Sequence, residues 1–195
     1  MAATPLDEAP AALPPLRGGT LALLTLAVAF STFMEVLDMT IVNVAVPHIA
    51  GGLGVSPSEG TWAISSYALA SAIMQPLTGW LARRFGEVRT FVASVALFVA
   101  FSMLCGFATS MPMLVVGRLL QGAGSGPMVA LSLTLLLANY SREKQGMALA
   151  LWAMTVVVAP IFGPILGGWL VDNLSWPWIF YINVPVGLAA AAVTW

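Results

Sequence analysis

Residues 20–47, TLALLTLAVAFSTFMEVLDMTIVNVAVP, form an apolar stretch of 28 residues in which only Glu35 and Asp38 are charged. Roughly 20 consecutive apolar residues are enough for a helix to cross a bilayer. Several stretches of this kind follow along the 195-residue chain, which is 59% hydrophobic and only 8% charged, with a mean hydropathy of +0.94. Because soluble domains carry about 25% charged residues, the sequence predicts an all-α polytopic membrane protein.

Hydropathy and turn signals place six transmembrane helices after residue 19. Their predicted ranges are 20–47, 61–82, 90–108, 113–140, 147–170 and 178–195, the last of them truncated where the sequence ends. Residues 1–19 are rich in proline and are predicted to form a disordered cytoplasmic tail. Two groups of three helices with opposite topology are what a 3+3 inverted repeat, one half of a transporter, would contain.

The basic residues indicate the orientation of this bundle. Six of the seven lie in the N-terminal segment or in the connections between helices two and three and between helices four and five. The positive-inside rule therefore places the N-terminus and these two connections in the cytoplasm. The seventh, Arg118, falls inside the fourth helix, where an unpartnered guanidinium would cost at least several kcal/mol. Arg118 therefore requires a partner within the membrane.

Glu35 and Asp38 are three residues apart in the first helix and share one of its faces. Neighbouring carboxylates repel each other and burial disfavours their charged forms, so at least one is expected to exchange a proton near neutral pH. At ~1.5 Å per residue, Asp38 lies about 14 Å and Arg118 about 9 Å from the outer ends of their helices, which allows them to meet. We predict that Arg118 pairs with Asp38 or Glu35 and that protonation or substrate binding switches the pair. A static structural pair is the alternative.

Composition argues against several classes of function. The chain has one cysteine, Cys105, and one histidine, His48, which are too few for a disulfide framework or a metal cluster. His48 follows Pro47 and is predicted to be an interfacial residue in a water-exposed connection. A net charge of −1 without a basic cluster disfavours a nucleic-acid partner. The single lysine, Lys144, lies in a loop, which excludes the intramembrane retinal Schiff base of a photoreceptor. No serine has a nucleophile-elbow pattern, so a Ser-His protease is disfavoured and an enzyme is not expected.

Five segments carry a resemblance to a known family of transporters. They are Leu37–Pro47, Gly79–Gly86, Arg118–Gly124, Ala159–Gly168 and Trp176–Gly187. In this order they resemble motifs of the N-terminal half of the major facilitator superfamily, most closely those of its fourteen-span drug:proton antiporters of the EmrB/QacA subfamily. The resemblance implies a six-helix bundle that takes part in drug export in exchange for protons, with the proton as coupling ion and no other cofactor.

The resemblance also assigns roles to individual residues. It implicates Asp38 and Arg118 in proton coupling, and the physical argument above adds Glu35 to this group. The matching positions of the gating loop between helices two and three are Gly79, Arg84 and Gly86. The antiporter-motif positions in helix five are Gly163, Pro164, Gly167 and Gly168. Glycines of this motif, and Gly122, Gly124 and Gly126 of helix four, are expected to admit close helix packing.

The chain departs from the family pattern at several places, among them Glu87 and Val88, which stand at basic positions of the gating loop. Arg83 stands where the gating loop usually has an aspartate, Ala159 replaces a glycine, and Pro177 stands where arginine is common. The usual charge contact of the gating loop is therefore in doubt, and Arg83 is expected mainly to set the topology of the chain.

As a drug exporter, the protein would bind hydrophobic toxic compounds near the bilayer midplane, on large and adaptable apolar side chains. The candidate lining residues are Phe30, Phe33, Met34, Asn43, Tyr67, Met74, Gln75, Gln121, Trp152 and Met154. For each of them ordinary helix packing is the alternative. Expected partners are membrane lipid, a missing C-terminal half or a second copy, and, from the resemblance alone, a periplasmic adaptor (EmrA-like) and an outer-membrane channel (TolC-like).

The resemblance implies a location in the bacterial inner membrane. A second reading, from a different class of function, is also open because the sequence ends inside the sixth helix. In that reading the chain is a truncated, non-transporting membrane fragment, or a half-transporter that acts only with a partner half.

Overall fold

The computed structural model describes residues 18–194, and this part of the chain folds into helices joined by short connections, without strands. The helices are α1 (Gly19–Leu53), α2 (Pro57–Gly60), α3 (Trp62–Met74), α4 (Thr78–Phe85), α5 (Glu87–Gly106), α6 (Met111–Asn139), α7 (Gln145–Asn173), α8 (Trp178–Tyr181) and α9 (Asn183–Thr194), with a 3-10 turn at Arg142–Lys144. The predicted tail, residues 1–19, lies outside the described residues except for Gly18 and for Gly19, which begins α1.

Six membrane spans can be assigned to these helices. Within residues 18–194, α1, α5, α6 and α7 are long and apolar enough to cross a membrane as single helices. The second span consists of α3 and α4, and the sixth of α8 and α9. Pro76 accounts for the interruption of the second span, because a proline removes a backbone donor and clashes with the preceding turn. The all-α polytopic fold predicted from the sequence is confirmed.

The first helix continues through Pro47 and ends at Leu53, six residues beyond the predicted end. Ile49 and Ala50 are buried at 0% and 1% exposure, so packing keeps the chain helical where proline alone favours a stop. His48 therefore lies within a helix and not in a connection. A helix of this length measures about 52 Å, which exceeds a hydrocarbon core of about 30 Å, so α1 projects beyond the membrane.

A capped turn closes the connection between the first two spans. The backbone N–H and the hydroxyl of Ser56 both donate to the carboxylate of Glu59, at 2.9 and 2.8 Å. These two hydrogen bonds, the backbone one first, lower the pKa of Glu59. The reciprocal bond from Glu59 N–H to the Ser56 hydroxyl completes a capping box at the start of α2.

The packing of the six spans follows an inverted repeat. The first span, α1, packs against the fifth and sixth spans, while the fourth span, α6, packs against the second and third. The two leading helices also touch each other at the centre of the bundle. Each leading helix of one triplet thus packs against the second and third helices of the other triplet, as a pseudo-two-fold axis requires.

Glycines in α6 bring the fourth span close to its two neighbours. A Cβ atom on Gly122 would collide with the backbone oxygen of Tyr67, and one on Gly126 would lie 2.9 Å from the backbone oxygen of Ser71. On the other side, a Cβ on Gly124 would lie 3.0 Å from the backbone nitrogen of Phe98. These glycines therefore permit the close helix packing that the sequence predicted.

The glycines of the antiporter motif in α7 differ from one another. A Cβ on Gly163 would collide with Thr40 of α1, and one on Gly167 would lie 3.3 Å from the backbone oxygen of Ile41. A Cβ on Gly168 would meet no atom within 4 Å in the described part of the chain. Close packing against α1 is therefore found at Gly163 and Gly167, whereas Gly168 does not show the contact expected from the motif.

The difference between Gly163 and Gly168 predicts that a glycine-to-alanine substitution changes the stability of the protein differently at the two positions. Gly163→Ala places a methyl group against Thr40 and is expected to lower the free energy of unfolding by about 1–3 kcal/mol. Gly168→Ala is the matched control and should leave it unchanged or raise it by up to about 1 kcal/mol, because alanine favours a helix interior. Unfolding of the purified variants in detergent micelles measures both. Equal loss of stability in the two variants would contradict the α1–α7 contact described here.

Candidate functional site

A buried ion pair lies at the centre of the bundle. Asp38 on α1 and Arg118 on α6 are 0% and 1% exposed, and the Nη1 atom of Arg118 is 2.6 Å from Oδ2 of Asp38. Of the two acids that the sequence offered as partners, the structure pairs Arg118 with Asp38. Glu35, one helical turn away, is not part of this pair.

Two amide side chains complete the hydrogen bonding of the carboxylate. Oδ1 of Asp38 accepts from Nδ2 of Asn183 at 2.7 Å and from Nε2 of Gln121 at 3.1 Å. The oxygen of the Gln121 amide in turn accepts from Nη1 of Arg118 at 2.8 Å. Three donors, one of them cationic, thus converge on a single buried carboxylate.

The guanidinium of Arg118 is held from the side of the second span. Its Nε atom donates to the backbone oxygen of Ala63 at 2.8 Å. Its central carbon lies 4.2 Å from the ring centre of Tyr67 and 5.7 Å from that of Phe180, so two aromatic faces stabilise the positive charge. Arg118 is therefore fixed by interactions that do not involve Asp38.

The network extends from Asn183 to the third span. Nδ2 of Asn183 also donates to the hydroxyl of Ser102 at 3.0 Å, and this hydroxyl donates to the backbone oxygen of Phe180 at 2.9 Å. Residues of the first, second, third, fourth and sixth spans therefore meet in one polar network. A change in the charge of its central carboxylate acts on all five of these spans.

Two members of this network, Asn183 and Ser102, were not identified as site residues from the sequence. Both are 0–1% exposed and lie within apolar segments. Polarity inside an apolar span was the available signal, because a buried amide or hydroxyl needs a hydrogen-bond partner. The sequence could not show which partner it would be.

The candidate lining residues do not form a single pocket. Phe30, Phe33 and Met154 line one groove of about 380 Å³ between α1 and α7. By contrast, Met34, Tyr67 and Gln121 are 0–1% exposed in the interior of the bundle. Only the first group offers a surface that a hydrophobic molecule reaches in the structure of residues 18–194.

The remaining lining candidates lie apart from this groove. Gln75 faces a different cavity of about 560 Å³, together with Arg83 of the gating loop. Trp152 is half-buried and donates to Ser132 at 3.1 Å. Exposed Asn43 donates to a backbone oxygen of its own helix at 2.8 Å, and half-buried Met74 packs against Gly126.

Of the gating-loop residues, Gly79 and Arg84 lie within α4, and Gly86 lies at the junction between α4 and α5. Gly86 joins the two helices with a φ of 90°, in the region that favours glycine. Gly79 is open enough that a Cβ would meet only Arg83, at 3.7 Å. Arg83 and Arg84 are exposed, and neither forms an ion pair with another residue of the described chain.

Residues 28–195 match the family described as the Major Facilitator Superfamily. The chain belongs to this superfamily. It is 60% identical over 182 residues to the multidrug export protein EmrB of Haemophilus influenzae, an alignment that covers 93% of this chain and 36% of the relative. It is 56% identical to the fatty acid resistance protein FarB of Neisseria gonorrhoeae, with the same coverage.

Solved structures show the same fold at low sequence identity. A peptide transporter POT in complex with alafosfalin has a TM-score of 0.78 at 18% identity and covers 93% of this chain and 39% of that one. The proton:xylose symporter XylE has a TM-score of 0.78 at 13% identity and covers 89% and 44%. The chain spans about a third of the length of the curated relatives it matches. The relatives named as an export protein and as a symporter are transporters and not enzymes.

The geometry of the ion pair predicts how substitutions within it combine. Arg118→Ala leaves a buried carboxylate without its cation and is expected to lower the free energy of unfolding by about 3–5 kcal/mol. Adding Asp38→Asn should restore part of this loss, because the neutral amide needs no counter-ion. Unfolding of the single and double variants in detergent micelles measures the coupling, with Arg142→Ala as an exposed control expected to change stability by less than about 0.5 kcal/mol. Strictly additive losses would contradict a coupled pair.

Proposed function

We propose that this chain forms the N-terminal half of a proton-coupled multidrug exporter of the bacterial inner membrane. The observation that carries the proposal is the buried Asp38–Arg118 pair, a titratable group at the meeting point of five spans. Relatives named as multidrug export proteins, at 54–60% identity, support the export of drugs. Together these observations favour drug:proton antiport over transport without a coupling ion.

In the proposed mechanism, Asp38 is the carboxylate that binds the transported proton. It accepts hydrogen bonds from Arg118, Gln121 and Asn183. A proton on Asp38 cancels the charge attraction to Arg118, while the guanidinium stays bound to the Ala63 oxygen and to the aromatic face of the second span. Protonation therefore weakens the link between the first and fourth spans and leaves the link between the fourth and second intact.

This asymmetry suits alternating access. The first span packs with the fifth and sixth, and the fourth packs with the second and third, so a weaker link between the first and fourth spans permits these two groups of helices to shift against each other. Asn183 connects the same carboxylate to the sixth span, so that span also responds to the proton. The proton would thus bias the equilibrium between inward-open and outward-open states by its differential affinity for them.

The proposed substrates are hydrophobic toxic compounds. The groove between α1 and α7, lined by Phe30, Phe33 and Met154, is about 380 Å³ in volume and predominantly apolar. Phenylalanine and methionine side chains adapt to differently shaped ligands, which suits a transporter of low selectivity. A relative named for fatty acid resistance agrees with an amphipathic substrate.

The proposed arrangement places the N-terminus and the Arg83, Arg84 and Lys144 connections in the cytoplasm, following the positive-inside rule. Export across a second membrane would then need a periplasmic adaptor and an outer-membrane channel. These partners rest on the likeness to the EmrB-type exporters.

The proton role of Asp38 predicts a specific loss of function. In a full-length exporter that carries this half, Asp38→Asn should insert normally and lose proton-driven efflux to the background level, because an amide does not exchange a proton. Drug-dependent proton release from proteoliposomes with an imposed pH gradient measures this. Asp172→Asn, which alters an acid at 70% side-chain exposure, is the control and should transport normally. Unchanged proton release in the Asp38 variant would refute the assignment.

A second candidate function is that of a half-transporter that acts only with a partner half. The fifth span favours it, since α7 exposes large apolar side chains along its length, among them Met154, Val157, Ile161 and Ile165 at 60–67% exposure. In a transporter of this fold the second bundle would cover part of such a surface, and a second copy of the chain is the other possible partner.

We expect this chain alone to confer no drug resistance on an efflux-deficient strain, and to confer it when a second six-helix bundle is fused or coexpressed. Growth at graded drug concentrations measures this, with Asp38→Asn in the fused protein as the inactive control. Resistance from the chain alone, together with a dimer in native mass spectrometry, would identify self-association as the active form.

A further inference from the structure

Three buried polar atoms near the ion pair have no hydrogen-bond partner in the described structure. They are Oγ1 of Thr32, Oε2 of Glu35 and the hydroxyl oxygen of Tyr67. Their residues are 1%, 5% and 1% exposed. Buried polar atoms are normally satisfied, so three unsatisfied ones near the ion pair require an explanation.

These residues belong to one region of the bundle. Thr32 and Glu35 lie three residues apart on one face of α1. Ser125 of α6, which is 0% exposed, lies near both Glu35 and Tyr67, and its hydroxyl donates to the backbone oxygen of Gly122 at 3.0 Å. We refer to Thr32, Glu35, Tyr67 and Ser125 as the Glu35 pocket.

No cation neutralises Glu35 within the described part of the chain. Arg118 is engaged by Asp38, and the only other ion pair among residues 18–194 joins His48 and Asp172 at the end of the bundle. An ionised carboxylate without a cation or hydrogen-bond donor in a buried site costs several kcal/mol, and the neighbouring charge of Asp38 adds repulsion. The neutral, protonated acid avoids both costs.

The charged groups of the other packed helices do not alter this conclusion. Tyr67 of α3 and Arg118 of α6 are the titratable groups that α3 and α6 place near the pocket, and Arg118 lies over the Tyr67 ring. The charged residues of α5 and α7 are Glu87, Arg89 and Asp172, and all three are exposed.

We propose that the Glu35 pocket is a second proton-binding site, in which the Glu35 carboxyl group holds a proton while Asp38 stays paired with Arg118. The two acids sit one helical turn apart in opposite surroundings. Asp38 accepts hydrogen bonds from one cationic and two amide donors, whereas Oε2 of Glu35 accepts none. Such contrasting environments separate the charge states of two neighbouring carboxyl groups.

Protonation changes what the Glu35 carboxyl group offers to its neighbours. The neutral group has one O–H donor, and the hydroxyls of Thr32 and Tyr67 both donate and accept. Tyr67 also connects the two sites, since its ring stacks on Arg118 and its hydroxyl belongs to the pocket.

Infrared difference spectroscopy of the protein in lipid nanodiscs tests the proposal. At neutral pH we expect the carbonyl band of a protonated carboxylic acid, which shifts on exchange into D₂O. Labelling all glutamates with ¹³C at the side-chain carboxyl should shift this band, which identifies a glutamate without any substitution. Within the described residues the other glutamates are Glu59, Glu87 and Glu143, and all three are exposed.

Variants then locate the proton. Glu35→Gln should remove the band, and Glu143→Gln, the matched control in an exposed connection, should leave it unchanged. Tyr67→Phe and Thr32→Val should keep the band but shift its frequency, because each removes a hydroxyl from the pocket. A missing band in the unsubstituted protein, a band that persists in Glu35→Gln, or one that neither hydroxyl variant shifts would overturn the proposal.

The same samples test whether Glu35 binds a proton or a metal cation. Exchanging Na⁺ for choline should leave the band unchanged, and a band that disappears in Na⁺ would show a metal-cation site and overturn the proton assignment. The use of this proton in transport rests on the proposed function, but its presence does not. The spectra need neither drug nor gradient, so a protein with the band and no proton-coupled efflux refutes the transport proposal and not the site.

Discussion

The positive charge of Arg118 in the interior of the bundle is the constraint on which the rest of the site depends. A guanidinium cannot be discharged in a protein, so the fold must neutralise it and satisfy its donors away from water. Asp38 supplies the neutralising negative charge. Gln121 and the Ala63 oxygen accept the other hydrogen bonds of the guanidinium, and Tyr67 covers its face. The positions of the first, second and fourth spans relative to one another follow from this requirement.

Close helix approach makes this arrangement possible. Without side chains on Gly122 and Gly126, the fourth span reaches the backbone of the second, which brings the Arg118 side chain within hydrogen-bonding distance of the Ala63 oxygen. Gly163 likewise permits close packing of the fifth span against the first. In a membrane, where apolar burial gives little preference for helix contact over lipid contact, such backbone proximity is a main source of packing energy. The polar network and the glycine contacts therefore stabilise the same set of helix pairs.

Two acids one helical turn apart meet different conditions inside this bundle. Asp38 accepts three hydrogen bonds, whereas Oε2 of Glu35 accepts none, and the proposed second proton site rests on this contrast. Tyr67 touches both surroundings, through its ring on Arg118 and through its hydroxyl. A movement of the guanidinium away from Asp38 would therefore also change the surroundings of Glu35. Through Tyr67, protonation of one acid would then influence protonation of the other.

The sequence by itself determined the number of spans, the connections in which the basic residues lie, and the need of Arg118 for an acidic partner. Each follows from one segment at a time, because a membrane helix satisfies its own backbone hydrogen bonds and its hydropathy is a local property. Only the tertiary structure decided that the partner is Asp38, that Asn183 and Ser102 complete its shell, and that the lining candidates divide between a surface groove and the interior. It also decided that α1 passes Pro47, and that Gly163 but not Gly168 touches a neighbour. These outcomes depend on the rotation and depth of helices up to 145 residues apart in sequence, which no local pattern specifies.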